Sequence, residues 1–286
     1  VDELMKYFDK IITGKAAVEK RIMLGRDWFN ARNREDIFNY QVKIALIFNQ
    51  EDTALNYLQN ALGVAKSGEI PIDFILKIHY KLGVAYYKRK EYQNALNHFR
   101  IIISFLEKEK TLFEKDYFLG MAYLYIGLIC LEQDNITEAK INFKNTYLIG
   151  DNNLKIKLSY FLFRGLYYKN QGNLPLTQKF LRAGLDSVGL NFENTQILKV
   201  QIDLILELSE FYIHYRRDSK KALYLLENLE NHITLREISN MKRGIRWNLL
   251  MSDLYKNSGI NQEKSQFYLK QSQKLKNQLQ TIGVSV

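Results

Sequence analysis

The sequence is poor in three residue types. It has one cysteine and two prolines in 286 residues, and 15 glycines. A lone Cys130 excludes a disulfide framework and any cysteine-built zinc cage. It fits a reducing compartment, so a cytoplasmic location is expected. So few turn residues over this length argue against an all-β fold, which needs a turn signal every few residues. No apolar run approaches the ~18 residues needed to cross a bilayer. The longest, Ile44 to Phe48 and Ile101 to Leu106, belong to amphipathic helices, so no membrane partner is expected. The first residues show no basic region followed by an apolar core, and no signal peptide is expected. The start at Val1 is read as a sign that upstream residues were removed or left out.

What is abundant is bulky apolar material. The chain carries 16 Phe and 19 Tyr, and its hydrophobic residues reach 47%. Lys and Arg number 41 against 31 Asp and Glu, a formal charge of +10. The basic residues are spread among acids without a tight block. A solvated, Lys-rich surface is therefore expected ahead of a nucleic-acid footprint. The densest cluster is Lys15, Lys20, Arg21, Arg26, Arg32 and Arg34.

The chain repeats itself. Leu82-Gly83, Tyr86, Ala95 and Phe99 give the spacing L-G-x2-Y-x8-A-x3-F, the tetratricopeptide pattern. Gly83 and Ala95 are small where two antiparallel helices touch; the large residues fill the space around them. Lys90-Glu91-Tyr92 marks the turn. Ile126-Gly127, Cys130, Ala139 and Phe143 repeat the spacing 44 residues on. Gly165, Tyr168, Thr177 and Leu181 repeat it again, with Gly172-Asn173 as the turn. A weaker copy holds Leu208-Ser209, Tyr212, Ala222 and Leu226, with one extra residue in its turn. Trp247, Leu250, Leu254 and Phe267 make a last copy of uncertain register. Ala54, Leu58 and Ala61 read as the second helix of a first copy, its partner running from about Glu35 to Phe48. Pro71 and Pro175 each open a helix, where a missing N–H costs nothing.

The expected fold is all-α: a right-handed, tetratricopeptide-like α-solenoid of five to six helical hairpins. Residues 1–34 are expected as N-terminal helices leading in, 35–280 as the repeat domain and 281–286 as a tail. The last helix, Gln262 to Leu279, caps the stack.

Motifs of catalysis are missing. Gly63-Val64-Ala65-Lys66-Ser67 lacks the leading glycine and the strand of a phosphate loop. His79, His98, His214 and His232 stand apart, without a metal-ligand spacing. His214 lies near the expected inner face. Cys130 reads as a small core residue, and Glu207 and Glu210 as part of a charged helix face. No enzyme activity, cofactor or metal is expected.

The expected site is the concave face, lined by the first helix of each hairpin. It takes Asn39 and Lys43 from the first hairpin, then Lys77, Tyr80, Val84, Tyr87 and Lys88. Leu124, Leu128 and Leu131 make an apolar middle. Leu162, Leu166, Lys169 and Asn170 follow, then Asp203, Leu206, Glu210, Ile213 and His214, and last Asp253 and Asn257. Asn side chains can pair with both N–H and C=O of an extended peptide. Lysines can take a carboxylate, and Asp203 or Glu210 an amine.

Leu82, Gly83, Tyr86, Ala95 and Phe99, with their echoes, resemble a tetratricopeptide array. The long, degenerate repeats in a Lys-, Asn- and Ile-rich chain resemble the peptide-binding domain of Gram-positive quorum-sensing receptors. That family includes Rap, NprR, PlcR, PrgX, Rgg and the phage arbitrium receptors. The resemblance implies a cytoplasmic receptor for a short signalling peptide that regulates a fused or associated effector of the transcription-regulator type. It also implies a homodimer joined through the last repeat. No helix-turn-helix pattern is present, so DNA would be reached only through a missing N-terminal domain. Two other readings stand beside this one: a scaffold for a folded protein partner, and a Rap-like regulator of a response regulator.

Overall fold

The computed structural model describes residues 51–66, 72–108, 115–232, 238–258 and 261–281. The expected helices before residue 51, Pro71, Asn39 and Lys43 lie outside the described residues. Eleven α-helices and no strand occur among the described residues. They are α1 (Glu51–Lys66), α2 (Ile72–Lys88), α3 (Tyr92–Leu106), α4 (Lys115–Glu132), α5 (Ile136–Gly150) and α6 (Leu154–Asn170). Then come α7 (Leu174–Asp186), α8 (Leu198–Phe211), α9 (Ser219–Leu229), α10 (Ile238–Ser258) and α11 (Gln262–Thr281). Five hairpins follow α1, and the chain folds as an α-solenoid.

The small residues do what their spacing implies. A Cβ on Gly83 would lie 2.7 Å from the Phe99 ring, and one on Gly127 2.7 Å from the Phe143 ring. One on Gly165 would lie 2.6 Å from Leu181. Three hairpins thus repeat one contact in one register. In the weaker fourth copy Ser209 takes the glycine's place. It is fully buried, and its hydroxyl has no hydrogen-bond partner among the described residues.

The turns repeat as well. Lys90, Asp134, Gly172 and Arg217 all adopt left-handed backbone, with φ of 60°, 57°, 70° and 51°. This reverses the chain and lets the next N–H close on a carbonyl of the finished helix. Glu91 N donates to Tyr86 O, Asn135 N to Cys130 O and Asn173 N to Tyr168 O, at 2.8 to 2.9 Å. The side chains of Asn135, Asn173 and Asp218 then cap the following helix. The extra residue of the fourth copy is absorbed by a π-helical turn, Tyr212–Arg216. Pro175 sits in the first turn of α7.

The last copy departs from expectation. Trp247, Leu250 and Leu254 are buried, but Phe267 is 55% exposed. Ser265 meets α10 instead, its hydroxyl donating to Ser252 O at 3.0 Å, and Tyr268 packs on Trp247 and Tyr255. Helix α11 turns Ser265, Ser272, Leu275 and Leu279 inward, and Phe267 falls on its outer side.

The first helices α2, α4, α6, α8 and α10 each contact the next in line. The second helices pack on the flanking first helices and make no comparable contact with one another. A layer in which neighbours touch is the inner side of a curve, so the first helices line the concave face. Helix α4 has first-helix neighbours on both sides and second helices behind. It is apolar nearly all round, from Phe118 to Leu131.

Candidate functional site

Each first helix changes character along its inner face. Tyr80, Val84 and Lys88 lie one turn apart on α2; the first two are half-buried and Lys88 is exposed. The same gradient runs along α4, α6, α8 and α10. It ends on one exposed polar side chain per hairpin: Lys88, Glu132, Asn170, His214 and Asn257. Each stands five residues after the small residue at the helix contact, Gly83, Gly127, Gly165, Ser209 and Ser252. These five form a polar ladder along the rim near the hairpin turns. Four of them are expected from the sequence; Glu132 is not, the leucines before it being expected there instead. The offset from Gly127 was the signal that could have found it.

The middle of the expected site is corrected. Leu128 is 2% exposed and belongs to the core with Leu124 and Leu131. Neighbouring helices on both sides of α4 enclose it. Leu166, one hairpin on, is half-buried.

The expected acidic end is charge-paired. Lys169 Nζ of α6 reaches Glu207 Oε2 at 2.9 Å and Glu210 Oε1 at 2.6 Å on α8. Arg246 of α10 meets Glu207 Oε1 at 2.6 Å and also binds Glu210. Asp203 is held by Arg243 through two bonds of 2.6 Å. His214 Nε2 faces Asp253 at 3.8 Å. An amine would therefore have to displace a guanidinium from Asp203 or Glu210. Burial acts to raise the Glu210 carboxyl, but Lys169 and Arg246 outweigh it and hold it below the usual carboxylate range. Burial acts to lower the Lys169 ammonium, yet the two carboxylates leave it raised. The partners lie about one repeat apart in sequence.

The other end is aromatic. Tyr80 is ringed by Tyr117, Phe118 and Tyr125, at centroid distances of 6.0, 5.8 and 6.2 Å. Burial, then Tyr125 and Tyr117, push its phenol well above the usual value. Tyr87 packs edge-on to Tyr125 at 5.3 Å. Lys77 is half-buried near the start of α2.

Little reactive chemistry appears. Burial, followed by the Glu138 carboxylate, raises the Cys130 thiol to about 11, so it stays protonated at neutral pH. His79 and His98, far apart in sequence, meet Nδ1 to Nδ1 at 2.8 Å across the α2–α3 hairpin. No cluster of three or more His, Cys, Asp or Glu that could hold a metal occurs among the described residues. No helix among them is long and apolar enough to cross a membrane. An open cavity of about 610 Å³ lies away from the rim, where the α7–α8 linker meets His232.

Fold and rim define a helical-hairpin solenoid with a polar ladder on its concave side. Among solved structures, the chain is similar to BtubC (BKLC) from P. vanneervenii. The TM-score is 0.54 at 9% identity, over 85% of this chain and 92% of that one. It is also similar to the Rap conjugation gene regulator of plasmid pLS20, solved in complex with the Phr* peptide. There the TM-score is 0.46 at 15% identity, over 87% and 76%. At these identities the likeness is one of fold. No protein-family model matches the sequence. No curated protein matches it.

Proposed function

We propose that this chain is a receptor for a short peptide, which it binds in extended form along the concave rim. The observation that carries the reading is the ladder Lys88, Glu132, Asn170, His214 and Asn257, one exposed polar group per hairpin. Packed helices stand ~8–10 Å apart. An extended chain advances ~3.3 Å per residue. The ladder therefore meets a peptide about once every three residues. Asn170 and Asn257 supply both a donor and an acceptor for its backbone.

Binding would be coupled to the shape of the solenoid. The Lys169, Glu207, Glu210 and Arg246 cluster ties three successive first helices together directly below the ladder. A peptide that favours one arrangement of this cluster shifts the angle between hairpins, provided its affinity differs between the two arrangements. An associated effector of transcription-regulator type would read that change in a cytoplasmic setting, with a homodimer built on the last hairpin.

The test is titration calorimetry of the chain against short peptides encoded beside its gene. Micromolar or tighter binding that weakens in Asn170→Ala and Lys88→Ala is the expected result. Absence of binding by every such peptide overturns the reading and favours a scaffold for a folded protein. Small-angle scattering with and without the peptide tests the coupling; an unchanged profile contradicts it.

A further inference from the structure

The carboxylates of the concave face differ in one respect. Asp203, Glu207, Glu210 and Asp253 each face a basic side chain. The Glu132 side chain has no hydrogen bond or ion pair among the described residues. It closes α4 and stands exposed on the rim, between the hairpins that carry Lys88 and Asn170.

Tyrosines of the two flanking hairpins pack on the core that α4 helps to form. Tyr87 lies in the last turn of α2, Tyr92 opens α3 and Tyr167 lies in the last turn of α6. All three are half-buried. Tyr87 and Tyr92 stand 6.2 Å apart with their rings tilted, and Tyr167 lies edge-on to Tyr168 at 5.4 Å. Burial raises all three phenols, and the Glu132 carboxylate is the next cause in each; Tyr87 is pushed to about 12. One carboxylate therefore acts on phenols from two neighbouring hairpins. Asp134 in the adjoining turn also acts on Tyr167.

We propose that Glu132, with Tyr87, Tyr92 and Tyr167, forms a subsite for a guanidinium or ammonium side chain of the bound peptide. This rests on the peptide-receptor reading above and names one chemical feature of its ligand. A cation is drawn to the face of an aromatic ring and to a carboxylate alike. The half-buried rings reduce the water around the charge, which strengthens both attractions relative to an open surface. Asp203, Glu207 and Glu210 already hold a lysine or an arginine, so a ligand cation takes Glu132 without displacing one.

The test uses fluorescence polarisation of labelled hexapeptide pools on the intact chain. Each pool fixes one position as arginine or as citrulline, its neutral near-isostere, and randomises the rest. The expected result is one position at which arginine binds about tenfold tighter than citrulline. Glu132→Gln should erase that preference while leaving the melting temperature unchanged. Tyr92→Leu should reduce it about threefold. Equal binding of arginine and citrulline at every position overturns the proposal, as does a preference that survives Glu132→Gln; the receptor reading then still stands. Binding by no pool overturns both.

Discussion

Lys169 of α6 lies 2.6 Å from Glu210 of α8, and the same carboxylate also binds Arg246 of α10. Three hairpins are held through one side chain. Glu210→Gln should cost about 1–3 kcal/mol in urea denaturation at neutral pH, between the values for exposed and buried pairs. The pH dependence follows from the signs. Glu210 is held low, so its contribution is present above the ordinary carboxylate range and is lost as pH falls through its folded value. Lys169 is raised, so its contribution is complete below the ordinary lysine range and is lost as pH rises through its folded value. Glu210→Gln should flatten the acid limb of a melting-temperature profile. An acid limb identical to the parent's would contradict this.

The Phe143 ring fills the space beside Gly127. Gly127→Ala gains ~1 kcal/mol of helix propensity. It also forces a Cβ against a ring in a packed core, at a cost of about 1–3 kcal/mol. Net destabilisation is expected, and Phe143→Leu should relieve it in the double variant. Thermal melts of the four proteins form a cycle that checks the coupling. Simple additivity would show that the contact does not set the helix spacing.

Asn135 caps α5, accepting from Glu138 N at 3.2 Å. Replacement by alanine should cost about 1 kcal/mol. Asp134 before it adopts left-handed backbone, so Asp134→Gly should be neutral or slightly stabilising. Denaturant midpoints compare the two variants.

Cys130 is buried and its thiol is raised to about 11. Native protein at pH 8 should react with a thiol reagent only as fast as it opens, and denatured protein at once. Rapid native labelling would place the thiolate at the surface.

The repeat unit was legible because one contact dictates it. Gly83, Gly127 and Gly165 are small for the same reason, so their spacing survives divergence of everything around them. The last hairpin was harder to read, because Ser252 and Ser265 meet there through hydroxyls and Phe267 turns outward. Phe267 is a large aromatic at nearly the right spacing, and the residues in contact are a small polar pair. The inner face was half legible. Lys88, Asn170, His214 and Asn257 follow from helix geometry alone. The burial of Leu128 depends on how tightly α2 and α6 flank α4, a tertiary fact with no local signature. The pairing of Asp203 with Arg243 and Glu210 with Arg246 joins residues on different hairpins. Periodicity tests find like residues at a repeat spacing, and these pairs are opposite in charge.

The most direct test of peptide binding on the rim is hydrogen–deuterium exchange of the chain with and without the tightest-binding hexapeptide pool. The expected result is protection at the last turns of α2, α4, α6, α8 and α10, with the outer helices α3, α5, α7 and α9 unchanged. Protection confined to the outer helices, or none at saturating peptide, would contradict a receptor that reads its ligand on the concave rim.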